Sequence, residues 1–504
     1  MMSYTVVLLI VFLGVFVLVV HQHEVPPSEK KKGDLPSNLR LLNEWGEQTD
    51  TIQRLYETAY KVLAAERTAS FADLAKNAEI ERLCTKRGIL HLGGPMLGAV
   101  TPNGVSVWLR TVRPAEVEVR VTVDETEKSY GPVKSTAHKD LSVIVPVTGL
   151  KPLSRHPYRV LVDGNPITIP EPAVIVTAPE DTNTGKVRIA FGSCQHRWGL
   201  GNKAQADLIR NRKPAALLLY GDMAVQDRNN HLGLHRADYL LRDFFPAWQH
   251  LVAAVPVYAT WDDHDYFDND KGGIPEGYTN EDKMGVWEVF RYAWNNPSYG
   301  FGDEKRGVFL RTRIGPCDII MVDNRYFRTP KNAFLRFFGA GKNSFLGDGQ
   351  MKWLESQLLD CEGPFIILSC GTMWTDYVRK GKDSWGKWDK KGRERIFKLI
   401  EKNRIGGVLL ISGDRHGARG FRIPRPSGFN FHEFEVASLG GRKGPTVTKP
   451  EWKTQFYGIG GEYAFGEFTI DATLPDPEVT FRLIRDDGTV LYEMKLKRSQ
   501  LTPP

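Results

Sequence analysis

Four apolar runs of this 504-residue chain end in side chains able to bind a cation. Residues 187–191 (Val-Arg-Ile-Ala-Phe) lead into Gly192, Ser193 and Cys194, and residues 215–220 (Ala-Ala-Leu-Leu-Leu-Tyr) into Gly221 and Asp222. Residues 255–260 lead into Trp261, Asp262, Asp263, His264 and Asp265, and residues 407–411 into Ser412, Gly413, Asp414, Arg415 and His416. Short apolar runs of this kind fit buried strands. In open α/β sheets, ligands bind outside the carboxyl ends of the strands. Each signal alone has an ordinary reading: a buried small hydrophobe for Cys194, a turn for Asp222, a capped turn for residues 262–265, a salt-bridged loop for Asp414 and His416. At one sheet edge, however, the carboxylates would repel one another without a cation, so a metal is the natural resolution. The mixture of thiolate, imidazole and carboxylate favours a transition metal, with a harder, oxygen-rich position beside a softer one.

These groups need a scaffold, and the surrounding sequence supplies it. After a polar linker at 180–185, strands are expected at 187–191, 215–220, 255–260, 308–314, 318–322, 365–369 and 407–411. Helical spacing alternates with them at 203–212, 237–251, 282–294, 350–359 and 393–402. A β-rich tail (462–471, 479–485, 490–496) completes the sheet. The pattern defines an α/β, mixed-sheet domain over 181–504 with helices on both faces. Before it, residues 88–180 hold short β-rich runs at 105–110, 115–123, 141–147 and 158–162, separated by Pro, Gly and Asn. That spacing predicts an N-terminal antiparallel β-sandwich domain without catalytic groups. Within 24–87, a linker gives way to a helical stripe that includes Leu41, Leu55, Tyr56, Ala59 and Leu63, read as packing.

Composition narrows the classes. With 41% hydrophobic and 25% charged residues, the chain is neither disordered nor a polytopic membrane protein. A net charge of +7 is too small for a nucleic-acid footprint, and no specific nucleic acid is expected as partner. Five scattered cysteines with no CxxC pair exclude a disulfide framework. Residues 6–20 form an unbroken apolar run, read as an export signal or membrane anchor within a segment spanning 1–23. No small-x-small cleavage pattern follows, which favours an anchor through which the protein meets the membrane. Lys30, Lys31 and Lys32 follow the run and no cation precedes it, so the positive-inside rule alone would put the body in the cytoplasm.

At this level the chain resembles the alkaline phosphatase D family, the PhoD-like metallophosphoesterases, related in turn to purple acid phosphatases and calcineurin-like enzymes. The likeness runs from about residue 90 to 496. It rests on Gly192-Ser-Cys-Gln195, Gly221-Asp222, Trp261-Asp-Asp-His264, Asp323-Asn-Arg325 with Arg328, Leu346-Gly347 with Gln350 and Trp353, Asp383-Ser-Trp385, and Ser412-Gly-Asp-Arg-His416, in that order. The resemblance implies a metallophosphoesterase sandwich of α-β-β-α layers holding a metal centre described as iron with calcium. It implies hydrolysis of phosphate mono- and diesters of small molecules by a metal-activated hydroxide at a binuclear-type site. Carried over by motif, Cys194, Asp222, Asp263, Asp414 and His416 are the ligand candidates. Asp263 and His264 are the catalytic candidates, with His264 contacting phosphate or protonating the leaving oxygen; metal ligation by His264 is the other reading. Arg325 and Arg328 are candidate phosphate clamps, with an internal pairing to Asp323 as their alternative. Residues 379–395, with eight basic and three acidic residues plus Trp385 and Trp388, are read as a substrate-lining loop.

Two departures stand out. Where the family carries a tyrosine three residues after the Gly-Asp aspartate, this chain has Val225. That shifts the expected metals from ferric iron toward a divalent ion, with zinc or manganese as alternatives. The family's twin-arginine export signal is also absent. Since the family is exported, an extracytoplasmic location is expected, membrane-anchored or secreted. Two competing readings remain beside the phosphoesterase: a hydrolase of another ester, and a binding protein that has kept the fold but lost catalysis.

Overall fold

A computed structural model describes residues 33–44, 48–329, 343–377, 384–445 and 452–504. The apolar run at 6–20 and residues 379–383 of the basic stretch lie outside these. Among the described residues, no helix is long and apolar enough to cross a membrane.

Two sheets face each other within residues 186–497. The first has six strands in spatial order Val257–Thr260, Ala216–Tyr220, Lys186–Gly192, Ala464–Asp471, Glu478–Arg485 and Val490–Lys497. Its first three strands are parallel, and the tail joins as an antiparallel extension. The second has seven: Leu310–Ile314, Cys317–Met321, Phe365–Cys370, Val408–Ser412, Asn430–Glu435, Ala418–Pro424 and Gln455–Ile459. The four strands from Cys317 to Glu435 are parallel.

Side-chain alternation along each strand decides what it meets. In Ala216–Tyr220, Leu218 and Tyr220 point between the sheets, with Phe191, Ile367, Leu409 and Phe434. Leu217 and Leu219 point outward to the helices Leu232–Phe244 and Pro246–Val252. On the far face, Leu368 and Leu410 meet Leu354 and Ile396 of the helices Gly347–Leu359 and Lys390–Lys402. The layers are therefore α-β-β-α, and strands buried on both faces read as continuous apolar runs. Each of these leucines, fully buried, contributes about 1.5–3 kcal/mol relative to exposure.

The N-terminal β-sandwich pairs His91–Thr101, Gly104–Thr111 and Ser142–Val147 in one sheet. Thr126–Lys134, Glu116–Val123, Arg155–Val162 and Asn165–Pro166 form the other, whose fifth strand, Val174–Val176, also pairs with Arg155–Val162. It docks by close backbone approach: a Cβ on Gly98 would fall 2.1 Å from the carbonyl oxygen of Asn295. The Asn295 amide in turn donates to the carbonyls of Met96 and Ser106, at 2.8 and 3.0 Å.

Among the described residues, four helices precede the sandwich: Leu35–Glu44, Asp50–Ala65, Phe71–Leu74 and Ala78–Arg87. Leu55, Tyr56, Ala59 and Leu63 form the buried stripe of the second. One expected helix is two. The segment read as 237–251 breaks at Phe245, because Pro246 cannot donate to the preceding turn and starts a new helix at its first position.

Candidate metal centre

The chain turns sharply after three of the four strands that lead into chemical side chains, while Asp263 and His264 open the short helix Asp263–Tyr266. Cys194, His196, Asp222, Asp414 and His416 all have left-handed backbones, with φ of 56°, 52°, 57°, 82° and 62°. Each costs a non-glycine residue about 1–3 kcal/mol, and such strain clusters at functional sites. The turns are tied to each other. The Cys194 amide donates to the Gly221 carbonyl at 3.0 Å, and the His196 amide to the Asp222 carbonyl at 2.9 Å.

The result is a run of three overlapping ligand groups. Cys194, Asp222 and His416 form one, Asp222, Asp263 and His264 a second, and Asp262, Asp263 and Asp414 a third. Within each group the donor atoms lie within 4.8 Å of one another. Asp222 belongs to the first two and Asp263 to the last two, so the groups interlock through shared carboxylates. The softer donors sit at one end and an all-oxygen set at the other.

The donors fit a cation on hydrogen-bonding grounds. Asp222 Oδ1, Asp262 Oδ2 and Asp263 Oδ1 are buried and accept no hydrogen bond among the described residues. Orphaned carboxylate oxygens are costly inside a protein, and three of them in contiguous groups are what a bound cation would satisfy. Their neighbours are well satisfied. Asp263 Oδ2 accepts from the Asp270 amide at 2.6 Å, and Asp262 Oδ1 from Asn324 Nδ2 and Arg325 Nε at 3.0 and 2.5 Å.

The electrostatics say the same. Burial pushes the Asp222 carboxyl well above its ordinary range and Asp262 and Asp265 up to about 7. Burial opposes the charge on Asp263 too, yet Arg325 and His264 beside it hold its carboxyl below the usual value. Burial drives the Cys194 thiol well up and His416 down to about 4. A group of acids that must take up protons to be buried alone is a group that a cation can hold ionised.

Both expected histidines are oriented by a partner on Nδ1. His416 Nδ1 lies 3.0 Å from the Arg442 carbonyl, and His264 Nδ1 lies 2.6 Å from Asp227 Oδ1. Gln226 Nε2 also lies 2.8 Å from His264 Nδ1, so Nδ1 of each ring is held by its surroundings. Burial lowers the His264 pKa, but Asp263, Asp222 and Asp227 outweigh it and raise it well above the ordinary value.

The three residues expected to contact substrate, Arg325, Arg328 and Trp385, are each engaged by other side chains. Arg325 is fully buried and bound to Asp262, so its guanidinium serves an internal ion pair. Arg328 stacks over the Trp388 and Phe345 rings, 4.2 and 5.0 Å from their centroids. Trp385 is buried, stacked at 4.9 Å on Trp374, and its indole donates to Cys370 Sγ at 3.1 Å. The Asp323 motif is likewise a brace. The Asp323 carboxylate accepts from the Trp261 indole and from the amides of Val308, Arg325 and Tyr326. Gln350 clamps its backbone through two 2.8 Å bonds.

Sequence reasoning passed over His196, Gln226 and Asp227. The His196 ring lies between Trp198 and His416, at centroid distances of 4.8 and 5.4 Å, with His264 edge-on at 5.5 Å. Its Nδ1 binds Gln226 Oε1, and Gln226 Nε2 donates to Asp227 Oδ2 at 2.8 Å. Val225, fully buried in the apolar layer, offers no ligand.

The opposed mixed sheets, with candidate cation ligands at their strand ends, have the architecture of the metallophosphoesterase class of fold. A solved structure of PhoD is similar over 82% of this chain and 91% of that one, with 16% identity and a TM-score of 0.67. The purple acid phosphatase PPD1 from yellow lupin (Lupinus luteus) seeds is similar over 80% and 74%, with 14% identity and a TM-score of 0.57. At those identities the likeness is one of fold. The chain belongs to the PhoD-like phosphatase family, whose model matches residues 203–458. That stretch carries Asp222, Asp263, His264, Asp414 and His416, while Cys194 precedes it. Residues 90–179 match a domain of unknown function (DUF7800). No curated protein matches the chain.

Proposed function

We propose that the protein hydrolyses phosphate esters of small molecules, mono- or diesters, at a centre of two adjacent cations. One observation carries this reading: Asp222 and Asp263 each belong to two ligand groups, as carboxylates shared between neighbouring ions do. Cys194, Asp222 and His416 suit a softer ion such as iron, zinc or manganese, and Asp262, Asp263 and Asp414 suit a harder one such as calcium. When bound, the cations would supply a hydroxide at neutral pH and neutralise charge on the phosphoryl oxygens.

The chain's own residues do the rest. His264, with Nδ1–H held by Asp227, presents Nε2 to the ester and can give a proton to the departing oxygen. Arg325 holds Asp262 in place and, with it, the edge of the oxygen-rich group. The buried setting strengthens each of these interactions relative to water.

The apolar run at 6–20 is proposed to tether the protein on the extracytoplasmic side, supported by its composition alone. Assays with a chromogenic phosphate monoester and its diester analogue test the activity. Turnover should be lost on chelation and restored by metal. Metal-loaded, folded protein without turnover on either ester would point instead to the binding-protein reading that Val225 favours.

A further inference from the structure

Residues 436–444 (Val-Ala-Ser-Leu-Gly-Gly-Arg-Lys-Gly) have the composition of a plain turn, yet they sit between two of the ligand-bearing turns. Ser438 is the centre of this arrangement. It follows the second-sheet strand Asn430–Glu435 and bridges Ser193 and Tyr463, at the ends of two neighbouring strands of the first sheet. Its side chain is buried. Its hydroxyl donates to the Cys194 carbonyl at 2.5 Å and accepts from the amides of Gly441 and Arg442 at 2.8 and 3.1 Å. Its own amide donates to the His416 carbonyl at 3.1 Å.

The turn held by that hydroxyl touches both ligands again. The Gly441 amide donates to the Cys194 carbonyl at 3.1 Å, and the Arg442 carbonyl lies 3.0 Å from His416 Nδ1. A Cβ at Gly441 would fall 2.0 Å from His196 Cδ2, so a side chain there forces the turn to shift. We infer that Ser438 is a positioning residue. One hydroxyl folds the 438–442 turn so that Cys194 and His416, carried by different sheets, keep the spacing at which a single cation can reach both. This rests on the metal-centre reading above.

The test is cobalt(II) titration of the metal-free full chain, followed by its thiolate-to-cobalt absorption. The wild type should show the band and Cys194→Ser should lose it. Ser438→Ala should bind cobalt at least about tenfold more weakly, as outer partners of ligands do, with a reduced band, and Ser438→Thr should recover most of the affinity. Ser135→Ala removes an equally buried hydroxyl from the β-sandwich; it should lower thermal stability and leave cobalt affinity unchanged. Gly441→Ala disturbs the same turn and should weaken binding if Ser438→Ala does not fold. Wild-type affinity in whichever of these two variants folds, or equal weakening in Ser135→Ala, overturns the inference. A wild type without the band would fail the metal-centre reading instead.

Discussion

Asp227 Oδ1 and His264 Nδ1 lie 2.6 Å apart, joining residues 37 positions apart in sequence. The carboxylate engages Nδ1 of the ring and, in the function proposed above, leaves Nε2 for the ester. Asp227→Asn keeps the shape and loses the charge. It should lower kcat on the order of tenfold to a hundredfold while metal content and the melting temperature stay near wild type. Steady-state kinetics with metal analysis on the same sample checks this.

Asp263 belongs to two ligand groups. Asp263→Asn should cost about a hundredfold or more in turnover, comparable to removing one electrostatic stabiliser. Unchanged turnover would assign the role to another carboxylate.

Arg325 separates two physical roles. As a phosphate clamp its loss would raise KM and spare stability. As the buried partner of Asp262 its loss strands a charge. Arg325→Met should therefore destabilise the fold by roughly 3–5 kcal/mol, read as a shift of the urea midpoint.

Much of this was legible in the sequence. Strands such as Ala216–Tyr220 and Val408–Ser412 announced themselves because burial on both faces leaves no polar position. Their last residues pointed to the candidate ligands, and Cys194, Asp222, Asp263, Asp414 and His416 do fall in overlapping groups. Other strands were silent. Thr126–Lys134 is exposed along most of its length, so no apolar alternation marks it. His91–Thr101 is rich in Gly because its backbone packs against neighbours. Ala418–Pro424 and Asn430–Glu435 carry buried Arg419, Glu433 and Glu435, which look like surface residues until their partners are seen. Asp227 and Ser438 were invisible for a related reason: their meaning lies in contacts with His264 and Cys194, far away in the chain. Trp385 is buried and stacked on Trp374, and aromatic and basic residues together describe a stacked core edge as well as a substrate wall.

His235 gives stability a pH dependence unconnected with the metal. It is fully buried, its Nε2 is 2.8 Å from the Asn229 carbonyl, and burial foremost lowers its pKa from 6.5 to about 4. The unfolded chain therefore binds a proton between pH 6.5 and 4 that the folded chain refuses. The contribution is complete above pH 6.5 and is lost as pH falls toward 4, up to about 3 kcal/mol. In His235→Gln, melting temperature should fall less steeply across that interval than in wild type.

Binding to the folded state alone must also raise stability by mass action. Metal added to the stripped protein at about a hundred times its dissociation constant should add about 2.7 kcal/mol. Calorimetric melting points that do not move with metal concentration would speak against a preformed centre.

Elemental analysis of the purified protein, wild type beside Asp222→Ala, goes straight to the shared-carboxylate centre. About two tightly held ions per chain in the wild type, reduced in the variant because Asp222 serves two groups, is the predicted result. A metal-free wild type that still cleaves phosphate esters, or an Asp222→Ala protein with undiminished metal, would contradict it.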